Sequence, residues 1–75
     1  MEDRYKHYFK RIGNNIKKYR KEQRLTQQQL ADKVGMSRGY LSQIEASTNK
    51  AMLSVYMLIA IAEELKIEPK ELLSK

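Results

Sequence analysis

The chain has 75 residues, a formal net charge of +6 and no cysteine. A chain of this length holds one small domain with a modest core, and without cysteine it has neither disulfides nor thiolate metal ligands. The only histidine is His7 and the acidic residues are scattered. We therefore expect neither a metal site nor another cofactor, and no enzymatic activity.

Membrane insertion and secretion are not indicated by the pattern of apolar residues. The longest apolar run, residues 55–62, has eight residues, far short of the roughly 20 that span a bilayer. The N-terminus is charged from Glu2 onward and lacks the apolar core of a signal peptide. We expect a soluble, cytoplasmic protein.

The positive charge is concentrated in the first third of the chain. Residues 1–26 carry nine Lys or Arg against three acids, a net +6, whereas residues 27–50 carry a net +1 and residues 51–75 a net −1. A basic surface of this kind suits a polyanion such as nucleic acid. A solvated lysine-rich surface is the alternative interpretation.

The first predicted helix runs from Arg4 to Gln23, with an N-terminal extension over residues 1–11. Apolar side chains recur every three or four residues, which indicates one buried stripe: Tyr5, Tyr8, Phe9, Ile12, Ile16 and Tyr19. A basic helix on an anionic lipid surface is the rival to core packing for this stripe. Gly13 lies inside the run and predicts either a kink or a break.

Two short helices joined by a tight turn follow. Thr26 is a suitable N-cap for a helix from Gln27 to Val34. Gly35 ends that helix, and Ser37 caps the next one. The two helices bury one set of apolar residues, Leu30, Ala31, Val34, Leu41 and Ile44, and the second leaves a polar face that no core requires, Arg38, Gly39, Ser42 and Gln43.

The last third predicts a fourth and a fifth helix. Ser54 caps a helix from Val55 to about Leu65, whose core face is formed by Val55, Leu58, Leu65 and either Ile61 or Ala62. Pro69 begins a short fifth helix that turns Leu72 and Leu73 inward. With no convincing strand, the sequence predicts a single all-α domain of five helices.

These motifs, at these spacings, identify a resemblance. The stretch IKKYRKEQRLTQQQLA, the turn Val34-Gly35-Met36 and the stretch YLSQIE resemble the phage-repressor (Xre/Cro-like) helix-turn-helix DNA-binding domains. The loop after Glu45 departs from the family pattern, because it lacks the usual glycine and Leu53 stands where a proline often falls. The resemblance implies a five-helix bundle whose third helix, about Ser37–Ala46, lies in the major groove.

The resemblance also implies roles for individual residues. Base edges would be met by Arg38, Gly39, Ser42 and Gln43. Gln27 would meet a phosphate and brace the third helix. Beyond what the resemblance implies, we expect further contacts with the DNA backbone from Gln28, Tyr40, Thr48, Asn49, Lys50, Lys17 and Lys18. Arg20 and Glu45 match a salt bridge between the first and third helices, with a plain surface pair as the alternative.

The chemistry of the polar side chains refines these roles. Arginine pairs well with guanine and glutamine with adenine, so Gln43 favours a base, while base and phosphate contacts both remain open for Arg38. Ser42 is small enough for either, and Gly39 permits close approach. For Tyr40, packing against the second helix is the alternative to a phosphate contact.

The second apolar side of the fourth helix predicts a homodimer interface, made of Met52, Tyr56, Ile59, Ala60 and Leu73. The alternative is that the aromatic N-terminal extension covers this surface within one chain. The sequence thus predicts a regulator, most simply a repressor, that binds a palindromic site in double-stranded DNA as a dimer. An antitoxin-like or anti-repressor module with a protein partner is the competing function.

Overall fold

A computed structural model describes residues 5–47 and 53–75 of the chain. These residues form four α-helices, α1 (Lys6–Glu22), α2 (Gln27–Val34), α3 (Arg38–Ala46) and α4 (Val55–Glu64), followed by a 3₁₀-helix (Pro69–Leu73). No strand occurs among them. The all-α prediction is confirmed, but the predicted fifth α-helix is a 3₁₀-helix, since five residues beginning at a proline make little more than one turn.

The helix boundaries follow from local capping. Thr26 forms a capping box with Gln29: its Oγ1 accepts from the backbone N–H of Gln29 at 3.0 Å, and its own N–H donates to Oε1 of Gln29 at 2.9 Å. The hydroxyls of Ser37 and Ser54 accept from the N–H groups of Tyr40 and Met57, each at 3.1 Å. The predicted caps of α2, α3 and α4 are therefore confirmed, and α3 begins at Arg38, directly after its cap Ser37.

One apolar core lies among these elements. Helix α1 packs on α3 and on the 3₁₀-helix, α2 packs on α3 and α4, and α4 packs on the 3₁₀-helix. The buried apolar side chains come from every element: Ile12, Ile16, Leu30, Ala31, Leu41, Ile44, Ile61, Ala62, Leu65 and Leu72. Val55 was predicted in this core, but its side chain is 72% exposed, because it occupies the first turn of α4. None of the helices in the described ranges is both long and apolar enough to cross a membrane.

Gly13 allows a close contact between α1 and α3. Helix α1 continues through this residue without interruption, so the predicted break is absent. A Cβ atom added here would clash with the carbonyl oxygen of Ile44 and would lie 2.8 Å from Oγ of Ser47 and 3.1 Å from the carbonyl oxygen of Glu45. The glycine is thus required by packing, and it brings α1 against the C-terminal half of α3.

A different side of α1 holds the C-terminal segment in place. The side-chain amide of Asn15 donates to the carbonyl oxygens of Leu72 at 3.0 Å and Ser74 at 2.6 Å. The hydroxyl of Tyr19 donates to Oε2 of Glu71 at 3.1 Å, and Nη1 of Arg11 donates to the carbonyl oxygen of Leu73 at 3.4 Å. The bonds from Asn15 and Arg11 satisfy carbonyl groups at the end of the 3₁₀-helix that have no helical partner.

Candidate nucleic-acid interface

Helices α2 and α3 form a rigid unit that exposes one face of α3. Leu30 and Ala31 of α2 and Leu41 and Ile44 of α3 are buried together in the core. The turn between the helices is fixed by Gly35, whose φ of 88° is a left-handed conformation that glycine adopts at little cost. The angle between α2 and α3 is thereby determined by the core and by this turn.

The four residues predicted to contact bases lie on one side of α3. Arg38 and Ser42 are four residues apart, as are Gly39 and Gln43, so that they form two adjacent rows on the helix surface. Arg38, Gly39 and Gln43 are exposed, and Ser42 is half-buried. Apart from its chain neighbours and the backbone of α3 itself, nothing lies within 4 Å of a Cβ built on Gly39, which leaves this face open. It presents donors and acceptors of the kind that recognise base edges.

A chain of polar contacts runs from α1 to this open face. Arg20 and Glu45 form a buried ion pair, with Nε of Arg20 2.7 Å from Oε2 and Nη2 2.9 Å from Oε1. Nε2 of Gln27 donates to Oε1 of Glu45 at 3.1 Å, and Nη1 of Arg38 donates to Oε1 of Gln27 at 3.4 Å. The family resemblance implies the pair of Arg20 with Glu45 and a bracing role for Gln27, but it does not specify the bond between Gln27 and Arg38.

The residues predicted to contact the DNA backbone are spread over three places. Gln28 is exposed on α2, and its amide donates to Oδ1 of Asp32 at 2.8 Å. Tyr40 is half-buried and packs against the core. Lys17 and Lys18 are exposed on α1. Thr48, Asn49 and Lys50 lie outside the described residues.

Lys17 and Lys18 lie on different sides of α1. Lys17 is four residues from Gly13 and three from Arg20, both of which contact α3, so it flanks that helix. Nζ of Lys18 is 4.9 Å from the ring centroid of Tyr19, whose hydroxyl is bonded to Glu71. Lys18 therefore lies on the side that holds the C-terminal segment.

The predicted dimer residues that are described form part of an exposed surface on α4. Tyr56 is 80% exposed and Ile59 is 45% exposed, while Ala60 is half-buried. Together with Lys33 and Val34 of α2 and Glu63 and Glu64 of α4 they line a groove. Leu73 is also exposed, so the prediction that it turns inward is wrong; it belongs to the 3₁₀-helix and does not line this groove. Met52 lies outside the described residues.

Two short helices, a glycine turn and an open polar face on the second helix define a helix-turn-helix domain. The helix-turn-helix family matches residues 16–72, and the chain belongs to it. The chain is 46% identical over 57 residues to the immunity repressor protein of Bacillus phage phi105, a match that covers 76% of this chain and 38% of the phage protein. The chain thus spans less than half of that relative.

Solved structures show the same fold. The restriction-modification controller protein C.AhdI from Aeromonas hydrophila superposes with a TM-score of 0.78 at 28% identity, covering 85% of this chain and 94% of the controller protein. SinR from Bacillus subtilis, a master regulator for biofilm formation, has been solved in complex with DNA. That structure superposes with a TM-score of 0.75 at 36% identity, covering 84% of this chain and 98% of the SinR chain in that structure.

Proposed function

We propose that this chain binds double-stranded DNA at specific sequences and regulates transcription, most simply as a repressor that occupies its operator. The observation that carries the proposal is the open polar face of α3, which is held in place by the buried pair of Arg20 and Glu45. The phage relative is an immunity repressor and SinR is bound to DNA in its complex, which supports the same role here.

The fit between α3 and the major groove supports direct readout. The groove is about 12 Å wide, and an α-helix with its side chains is about 10–12 Å across. Gln43 is the residue we assign to a base, with Arg38 and Ser42 beside it and Gly39 allowing close approach. Arg38 is a good match for guanine, and Gln43 for adenine.

Phosphate contacts from the elements around α3 would set its register on the duplex. Gln27 uses one amide hydrogen on Glu45 and has a second that can be donated to a phosphate. We assign further backbone contacts to the lysine that flanks α3, to the N-terminal turn of α2, to α3 itself and to the loop beyond it: Lys17, Gln28, Tyr40, Thr48, Asn49 and Lys50. Lys18 is not assigned to the DNA backbone, because it lies beside Tyr19, on the side of α1 that holds the C-terminal segment.

Selection of binding sites from random duplex DNA tests the proposal. We expect a palindromic site with half-sites about one helical turn, roughly 10 base pairs, apart. Gln43→Ala should then cost about 1–3 kcal/mol on the selected site and relax the preference at one base pair. Gln28→Ala is the matched control, and it should weaken all sequences equally. An equal loss on every duplex for Gln43→Ala would exclude direct readout by this residue.

A second copy of the chain is the partner we propose for the α4 surface. The exposed Tyr56 and Ile59 supply apolar area, and the groove beside them is lined by Lys33 of α2 and by Glu63 and Glu64 of α4. In a two-fold interface every contact occurs twice, from each copy to the other, so Lys33 of each copy would pair with Glu63 or Glu64 of its partner. Met52 and Leu73 extend this surface in the proposal.

Sedimentation of the wild-type chain and of Tyr56→Lys tests the dimer. We expect a concentration-dependent dimer for the wild type and a monomer for the variant. A wild-type monomer at high concentration would remove the homodimer. Binding of DNA only after a second protein is added would favour the protein-interaction role instead.

A further inference from the structure

Three lysines and one asparagine form a row along the outer flank of α1. Lys10, Asn14, Lys17 and Lys21 follow one another at intervals of four, three and four residues, which places them on one side of the helix. All four side chains are exposed, and none of them is acidic. At 1.5 Å per residue the row extends over roughly 16 Å. We call these four residues the lysine row.

The lysine row borders α3 because of how α1 packs. The neighbouring positions Gly13 and Arg20 contact α3, at the carbonyl oxygen of Ile44 and at Glu45. The opposite side of α1, with Asn15 and Tyr19, contacts the C-terminal segment. The lysine row therefore lies next to α3, on the solvent side of the closest contact between the two helices.

A helix inserted in the major groove fills its width, so the elements packed against the flanks of that helix meet the phosphates that border the groove. The lysine row is exposed and adjoins the positions of α1 that contact α3, the helix whose open face is assigned to the bases. We propose that the lysine row binds the phosphate backbone along one edge of the groove, outside the helix-turn-helix unit. Lys10 lies before residue 16, where the match to the family begins.

This inference rests on the proposed function, and it identifies Gly13 as the residue that sets the distance between the lysine row and the groove. The charge distribution agrees with it, since residues 1–26 carry a net charge of +6, whereas the charges of residues 27–75 sum to zero. Each phosphate contact releases counterions, so the salt dependence of DNA affinity should show how many lysines contact a phosphate.

The test compares two triple variants with the same net charge. Lys10→Gln, Lys17→Gln and Lys21→Gln together remove the charges of the lysine row. Lys18→Gln, Lys66→Gln and Lys70→Gln together remove three exposed lysines from α1's other side and from the C-terminal third. The affinity of each protein for a duplex of random sequence is measured between about 50 and 200 mM salt, the range in which phosphate contacts weaken strongly.

Each lost phosphate contact lowers the slope of log affinity against log salt by about 0.9. The lysine-row variant should thus have a slope about 2.7 smaller than that of the wild type, so that over this range the wild type loses about 40-fold more affinity than the variant. The control variant should keep the wild-type slope. A third variant, with Lys10→Arg, Lys17→Arg and Lys21→Arg, should also keep the wild-type slope.

Equal slopes for the two glutamine variants would overturn the inference. If the wild type and Gln43→Ala behave as proposed while the lysine-row variant keeps the wild-type slope, only the lysine row is excluded. If the wild type fails to bind duplex DNA, the proposed function fails and the inference fails with it.

Discussion

Arg20 and Glu45 are joined by two parallel hydrogen bonds, of 2.7 Å and 2.9 Å, although 25 residues separate them in the chain. The arginine is 8% exposed and the glutamate 7%. A third donor of Arg20, Nη1, bonds the carbonyl oxygen of Leu25 at 2.7 Å, at the entry to α2. One side chain of α1 therefore fixes both α3 and the loop before α2.

Removing one partner of this ion pair should lower the stability of the fold. In Glu45→Ala the guanidinium of Arg20 remains buried and loses its charged partner. We expect the free energy of unfolding to fall by about 3–5 kcal/mol, which is a large part of the stability of a small domain. Chemical denaturation followed by circular dichroism measures this change.

The double variant Arg20→Met with Glu45→Leu is the control. Replacing a buried ion pair by apolar side chains of similar volume is often neutral or stabilising. The double variant should therefore regain most of the stability that Glu45→Ala loses. Its DNA binding should still be weaker than that of the wild type, because Gln27 has lost its acceptor at Glu45. A double variant as unstable as Glu45→Ala would show that the cost does not come from an unpaired charge.

Gly13→Ala should destabilise the fold even though alanine favours helices. The added methyl group would meet the backbone carbonyl oxygen of Ile44, which cannot move aside as a flexible side chain can. Overpacking of this kind costs about 1–3 kcal/mol, more than the gain of about 1 kcal/mol in helix propensity. Thermal unfolding should show a lower midpoint. An unchanged midpoint would mean that α1 and α3 separate easily.

Local signals account for much of the fold. The hydroxyl residues Thr26, Ser37 and Ser54 each precede a helix and each form the capping bond that the sequence predicts. The buried residues of α2 and α3 follow from their spacing, and the pair of Arg20 with Glu45 follows from the family resemblance. In each case the signal is confined to a short stretch or to a motif with fixed spacing.

Contacts between distant residues could not be derived in this way. Gly13 is ambiguous in the sequence, because its contact with Ile44 joins residues on different helices. The bonds from Asn15 to the carbonyl oxygens of Leu72 and Ser74 also lack a local signal. At Val55 the apolar periodicity predicted burial, but the first turn of α4 extends beyond the core.

The bond between Tyr19 and Glu71 predicts a dependence on alkaline pH. The pKa of Tyr19 is raised above its ordinary value of 10.0, first by this hydrogen bond, then by loss of hydration and by the negative charges of Glu71 and Glu22. Because the folded pKa is the higher one, the stabilisation is complete below 10.0 and is lost as the pH rises through the folded pKa.

Absorbance titration of tyrosinate measures this shift. Subtracting the curve of Tyr19→Phe from that of the wild type isolates Tyr19 among the five tyrosines. Glu71→Gln should move the Tyr19 transition towards 10.0, because the amide accepts a hydrogen bond without the negative charge. A transition that does not move in Glu71→Gln would contradict the assigned cause.

Gly39→Ala separates stability from DNA binding. Gly39 lies inside α3, has no left-handed φ, and nothing lies within 4 Å of an added Cβ, so alanine should stabilise the helix by about 0.8–1 kcal/mol. The same methyl group would stand between Arg38 and Gln43 on the proposed reading face. We expect DNA affinity to fall by about 1–3 kcal/mol, the usual cost of overpacking a close contact. Unfolding and binding titrations on one preparation measure both effects, and tighter or unchanged binding would show that this face does not approach the bases closely.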